Sequence, residues 1–182
     1  MKRVFSSPTR PSPLIPHSLI TPNLFLILTM RFASTTITLA ALFSVAIACP
    51  PVTPPPTVEP VRPNGIYGNG GDSLNIVACS NGPNGMITKG FTTFNSLPTF
   101  PNIGGGFTVG GWGSAECGSC WKLTNPANGV TIFVTAIDTI SSGFDLAPAA
   151  VSTLIGGPIP PSFNEVDVDA TEVAHSFCGL PP

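Results

Sequence analysis

Hydrophobic and polar positions beyond residue 65 follow the short period of extended chain. Ser73–Cys79 (SLNIVAC), Trp121–Thr124, Val130–Ile137 (VTIFVTAI) and Val166–Ala174 (VDVDATEVA) alternate or run β-branched, which predicts strands. Turn signals separate them at Asn81-Gly82-Pro83-Asn84-Gly85, Asn125-Pro126-Ala127-Asn128-Gly129 and Gly104-Gly105-Gly106. Asp145–Ile155 (DLAPAAVSTLI) predicts the one helix, with Asp145 as N-cap and Pro148 in its first turn. Closely spaced short strands and a single helix point to a compact, mainly β barrel rather than a βαβ sheet.

Ahead of this region the pattern changes twice. From Met30 the chain reads MRFASTTITLAALFSVAIAC: one Arg, an apolar stretch Thr36–Ala48 and small residues at Ala46 and Ala48, the features of a secretory signal peptide. Residues 1–48 are therefore expected to be a leader, with 1–29 an over-extended gene start and Met30 the working one. Residues 49–65 (CPPVTPPPTVEPVRPNG) read as an extended proline-rich linker, with Thr53 and Thr57 as O-glycan acceptors. The folded domain is expected over 66–182, small enough to welcome cross-links. The expected setting is extracellular or the cell wall, with no membrane attachment in the mature form.

Charge narrows the partners. Beyond residue 49 the 182-residue chain has Arg62, Lys89 and Lys122 against all nine acids, a formal −6. Such a body repels phosphate backbones and anionic lipid heads, which disfavours nucleic acid and membrane surfaces and leaves neutral ligands such as sugars. The sequence carries no Asn-x-Ser/Thr sequon.

Five cysteines stand at 49, 79, 117, 120 and 178. The Cys117-Gly118-Ser119-Cys120 string lacks the βαβ setting of a redox dithiol, and a zinc site would want a second close pair. Two structural disulfides among the four domain cysteines suit an exported chain, and three pairings are open. No metal or cofactor is expected.

In order, the domain reads VACSNGPNG, KGFTTFNSLPTFPNIGG, GGWGSAECGSCWKLT, IFVTAIDTISSGFDLAPAA and VDATEVAHSFCGL. This string resembles the cerato-platanins, small secreted fungal proteins, across residues 66–180. The resemblance rests on four cysteines in matching order, Gly111-Trp112 ahead of the close pair, and the Cys-Gly-Leu ending. It implies the pairings Cys79–Cys117 and Cys120–Cys178, and a six-stranded double-psi β-barrel with short helices. That fold is shared with the first domain of expansins, with barwin and with a class of inverting endoglucanases. The resemblance also implies a non-enzymatic role: binding of chitin-type oligosaccharides, expansin-like loosening of polysaccharide packing, activity at hydrophobic interfaces and elicitation of plant defence. Expected partners are chitin oligosaccharides or other cell-wall polysaccharides, or a plant surface receptor, and the expected state is a monomer.

Two positions depart from the family pattern. Tyr67 falls on the second Tyr of the family's Tyr-Asp-x-x-Tyr opening, but Pro63-Asn64 replace the first Tyr-Asp. Asp145 stands where the family often has Asn, so Gly143-Phe144-Asp145 resembles the His-Phe-Asp of expansins and related endoglucanases. An inverting hydrolase needs an acid and a base carboxyl about 6.5–9.5 Å apart, and Pro63–Tyr67 holds no carboxylate to match Asp145. Binding without hydrolysis is the expectation. Asp138, by the resemblance, accepts from sugar hydroxyls, with Gly143, Asp145 and backbone groups around Gly111-Trp112 helping to line the carbohydrate site; its bland alternative is an Asx turn, as helix capping is for Asp145. Gly143 reads as a close backbone approach. Trp112 beside Gly111 is either a core plug or a sugar-stacking ring, and Tyr67 either bonds a saccharide or packs on the rim. The rivals to wall binding are a surface-active interfacial protein, motivated by low charge and exposed-looking Phe91, Phe94, Phe100 and Phe107, and a weak endoglucanase-like hydrolase acting through Asp145.

Overall fold

The computed structural model describes residues 54–181. The leader, its cleavage point, Cys49 and Thr53 lie outside the described residues. Six strands close a barrel in the order β1-β5-β2-β4-β3-β6. They are β1 (Thr57–Pro63), β2 (Ile103–Gly106), β3 (Cys120–Thr124), β4 (Thr131–Thr139), β5 (Phe144–Leu146) and β6 (Val166–Val173), with one helix, α1 (Pro148–Ile155), after β5. Two pairings are parallel, β1 with β5 and β2 with β4; the rest are antiparallel. The mainly β, double-psi barrel expected from the resemblance is present, with four short 3-10 turns and both disulfides.

Two strands sit where the sequence pattern placed a linker and a turn, and one expected strand is absent. The proline-rich linker ends early: Thr57–Pro63 is a barrel strand, so the domain begins before Ile66. Pro60 is tolerated because pairing with β5 starts only at Val61, and Pro63 closes the strand. The triple glycine Gly104–Gly106, read as a turn, lies in β2 between β4 and β5. A Cβ on Gly104 would run into the Asp145 carbonyl oxygen, so only glycine lets β5 approach this closely. Conversely, Ser73–Cys79 is not a strand; a 3-10 turn at Leu74–Ile76 occupies it, capped by the Ser73 hydroxyl.

The helix is shorter than expected. It starts at Pro148 after Ala147, and Asp145 belongs to β5 instead of capping it. Gly156 ends it in the left-handed region (φ +78°), and the Asn125 and Asn128 side-chain amides both donate to the Leu154 carbonyl. Its buried face is Ala150, Val151 and Leu154.

Inside the barrel, Phe107, Trp121 and Phe144 meet with ring centroids 5.3–5.7 Å apart. The four Phe thought exposed are not. Phe94 is fully buried, and Phe91, Phe100 and Phe107 pack half-buried against the core. The interfacial reading loses the residues that motivated it.

Candidate functional site

Strand register brings the two suspected carboxylates together. Gly105 of β2 pairs with Asp138 of β4 on one side and with Asp145 of β5 on the other. Directly paired residues share a sheet face, and the flanking Ile137, Phe144 and Leu146 are fully buried. Asp138 and Asp145 therefore both point outward, about 10 Å apart at Cα across two strand spacings. Between them, a Cβ on Gly105 would come within 3.3 Å of the Tyr67 hydroxyl and 2.6 Å of Ile140 Cγ2. The space a side chain would take is filled by a phenol and a methyl, which makes the site shallow.

Asp138 is strongly held. Its Oδ1 accepts from the Ala78 and Thr139 amides, each at 2.9 Å, and its Oδ2 accepts from the Tyr67 hydroxyl at 3.1 Å. The Asx-turn alternative does not hold: the one local bond comes from the next residue rather than two residues on, and the other two come from far along the chain. Of about four acceptor directions on a carboxylate, three are used by protein and roughly one remains for a ligand hydroxyl. Tyr67 is 3% exposed, so it packs inside the rim and acts on a ligand only through Asp138.

Asp145 has a partner the sequence reading did not name. Arg62 lies opposite it in the β1–β5 register and donates Nε to Oδ1 at 3.0 Å. The same guanidinium reaches Glu165 at 3.2 Å and the Ser142 carbonyl. The hydrogen bond with Asp145 is the chief influence raising the Arg62 pKa, opposed by partial desolvation. The available signal was that Arg62 is one of only three cations in an acidic body; placing it in a spacer hid its role. Gly143, just before β5, has φ +64°, and a Cβ there would strike the Pro60 carbonyl oxygen. Its role as a close backbone approach is what the structure shows.

Trp112 is exposed, at 67%, rather than a core plug. Its indole N–H donates to Asn81 Oδ1 at 2.7 Å, and one ring face lies over Gly82. Gly111 (φ +131°) and Gly113 (φ +77°) shape the loop that presents it, and Asn84 donates to the Gly113 carbonyl. The ring is fixed on one side and open on the other. Ala78 and Asn81 are three residues apart, so the backbone holding Asp138 and that holding Trp112 lie within about 11 Å. Cys79 sits between them, bonded to Cys117.

Burial first, then the Asp138 charge and hydrogen bond, then Asp145, push the Tyr67 phenol well above its ordinary value of 10.0. A group raised in the folded state contributes stability below its unfolded value and loses it as pH climbs through the folded one. Tyr67 is the only tyrosine of the chain, so phenolate absorbance reports this site alone. The expected result of an alkaline titration is no phenolate signal near pH 10, then its appearance together with unfolding. Reversible ionisation near 10 in the folded protein would break the Tyr67–Asp138 link. Among the described residues no cluster of three or more His, Cys, Asp or Glu could hold a metal ion, and no helix is long and apolar enough to cross a membrane.

The family model described as Cerato-platanin matches residues 61–180. The chain is 49% identical over 114 residues to an "Allergen Asp f 15 homolog" of Arthroderma benhamiae, covering 63% of this chain and 55% of that protein. The chain thus spans little more than half the length of that relative. It is 44% identical to "Allergen Asp f 15" of Aspergillus fumigatus, over 70% of this chain and 84% of that one. It is 43% identical to "Cerato-platanin" of Ceratocystis fimbriata f. sp. platani, over 46% and 61%. Among solved structures, cerato-platanin 2 from M. perniciosa superposes with TM-score 0.63 at 40% identity, covering 68% of this chain and all of that one.

Proposed function

The chain belongs to the cerato-platanin family, and from that premise we propose that it is a secreted, non-catalytic protein that binds cell-wall glycans, chitin-type oligosaccharides first, and loosens their packing. The observation that carries the reading is the pair of outward carboxylates flanking Gly105, fixed by Tyr67 and Arg62, with the Trp112 ring on the adjoining segment. Carboxylates offer several acceptor sites to adjacent hydroxyls, and an aromatic face suits the C–H side of a pyranose. An open surface excludes little water, so affinity is modest.

The same geometry argues against hydrolysis. A general acid must present its proton to the glycosidic oxygen, and Asp145 Oδ1 is engaged by Arg62. A base must face an attacking water, and three of about four acceptor directions on Asp138 are already taken by two backbone amides and a phenol, so its one open direction cannot serve both the sugar and a water. Incubation with colloidal chitin tests both halves. Depletion of the protein from solution with no rise in reducing ends is the expected outcome. Steady reducing-end release that Asp145→Asn abolishes would replace this reading with a hydrolase.

A further inference from the structure

Away from these carboxylates, the outer faces of β3, β4 and β6 form a groove of about 1090 Å³. Register sets its floor in rows: Phe133 opposite Lys122, Lys122 opposite Thr171, and one step along Thr124 opposite Asp169. Phe133 stacks on Phe177, with centroids 5.4 Å apart and rings 17° from parallel. Phe177 rides on the 3-10 turn His175–Cys178 and is 61% exposed, so its outer face meets solvent. Pro54 and Pro55, with Thr171 and Glu172, also border a smaller compartment of about 290 Å³, walled by Phe107, Trp121 and Thr108. There the Thr108 hydroxyl is buried behind the wall with no hydrogen-bond partner among the described residues, which is costly for a polar atom.

Charge separates this groove from the rest of the surface. Both ion pairs among the described residues belong to Arg62, and Lys89 donates to the Cys117 carbonyl. Lys122 is exposed and joins no ion pair among the described residues. A lone cation set among Asp169, Glu172 and threonines offers donors and acceptors side by side without a net basic field. That excludes polyanions and fits neutral polyhydroxylic chains.

We propose that this groove is a second glycan subsite, in which a pyranose ring of a neutral polysaccharide seats its C–H face on Phe177 and its hydroxyls bond Lys122, Asp169 and Thr171. The adjoining compartment gives the next sugar room beside Phe107 and Trp121. The proposal rests on the reading of the protein as a glycan binder and adds a site on a neighbouring stretch of the barrel's outer surface. One polymer engaged at both sites would be gripped at two separated points, which raises effective affinity without any deeper pocket.

Calorimetric titration of the full chain with chitohexaose and with cellohexaose tests it, using wild type, Phe177→Ala, Phe177→Tyr and Asp138→Asn. Phe177 is largely exposed, so its variants should fold and melt as wild type does. Phe177→Ala is expected to weaken binding roughly five-fold, the loss of one stacking contact, with Tyr restoring it. Full affinity in Phe177→Ala while Asp138→Asn weakens would overturn the second subsite and leave the first reading standing. Wild type binding neither hexaose would overturn both. Displacement of hexaose by a proline-rich peptide, lost in Phe177→Ala, would assign the groove to a peptide and overturn the proposal.

Discussion

Replacing Asp138 with alanine is expected to lower the unfolding free energy by about 2–4 kcal/mol, whereas asparagine costs about 1 kcal/mol or less. Alanine removes the acceptor for the Ala78 and Thr139 amides and for the nearly buried Tyr67 hydroxyl. Partly buried donors left unpaired set the size of the loss, reduced by whatever water enters the gap. Asparagine keeps an oxygen for both amides, and its amide group can donate to the Tyr67 oxygen once that hydroxyl turns. Urea unfolding followed by tryptophan fluorescence distinguishes them. Equal losses for the two substitutions would show that the hydrogen bonds to Asp138 matter little. The contrast also decides how binding is tested: a defect in the alanine variant mixes folding with recognition, and the asparagine variant isolates recognition.

The second large effect is expected from the disulfides. Cys79–Cys117 spans 38 residues and Cys120–Cys178 spans 58, and in the chain-entropy account each contributes about 4 kcal/mol. Their consequences differ because they pin different parts. Cys79 donates its amide to the Ile137 carbonyl and stands between Ala78, which holds Asp138, and Asn81, which holds Trp112. Lys89 donates to the Cys117 carbonyl on the far side of that bridge, and its burial lowers the ammonium pKa. Paired Cys79→Ala and Cys117→Ala changes should therefore lower the melting point and speed amide exchange at Ala78 and Thr139. Paired changes at Cys120 and Cys178 should cost similar stability but loosen the turn carrying Phe177. Unaltered exchange at Ala78 and Thr139 after loss of the first bridge would separate the disulfide from the site.

What could be read from the residues divides along physical lines. Strands β3, β4 and β6 were legible because each buries side chains with period two or a β-branched run, and that period depends on the local chain alone. β2 was not, because Gly104 is required by a neighbour forty-one residues later in the chain, and glycine reads locally as a turn. β1 was hidden by proline density; its place is set by where β5 begins to pair, a long-range fact. The cysteine pairing came from the family resemblance, since the sequence alone left three choices. Asp138 and Asp145 were both picked out, but the ion pair of Asp145 with Arg62 needed the register to be seen. Trp112 shows the limit of residue-type odds: tryptophan is usually inside, yet this one is fixed at the surface by Asn81.

The glycan site is tested in one experiment by titrating the isotope-labelled full chain with chitohexaose and following amide and indole signals by NMR. Progressive shifts at Gly105, Asp138, Thr139 and Asp145, together with the Trp112 indole N–H, are the expected result. If the sugar is raised to saturation while all of these stay where they began, the carboxylate pair is not where this protein meets glycan.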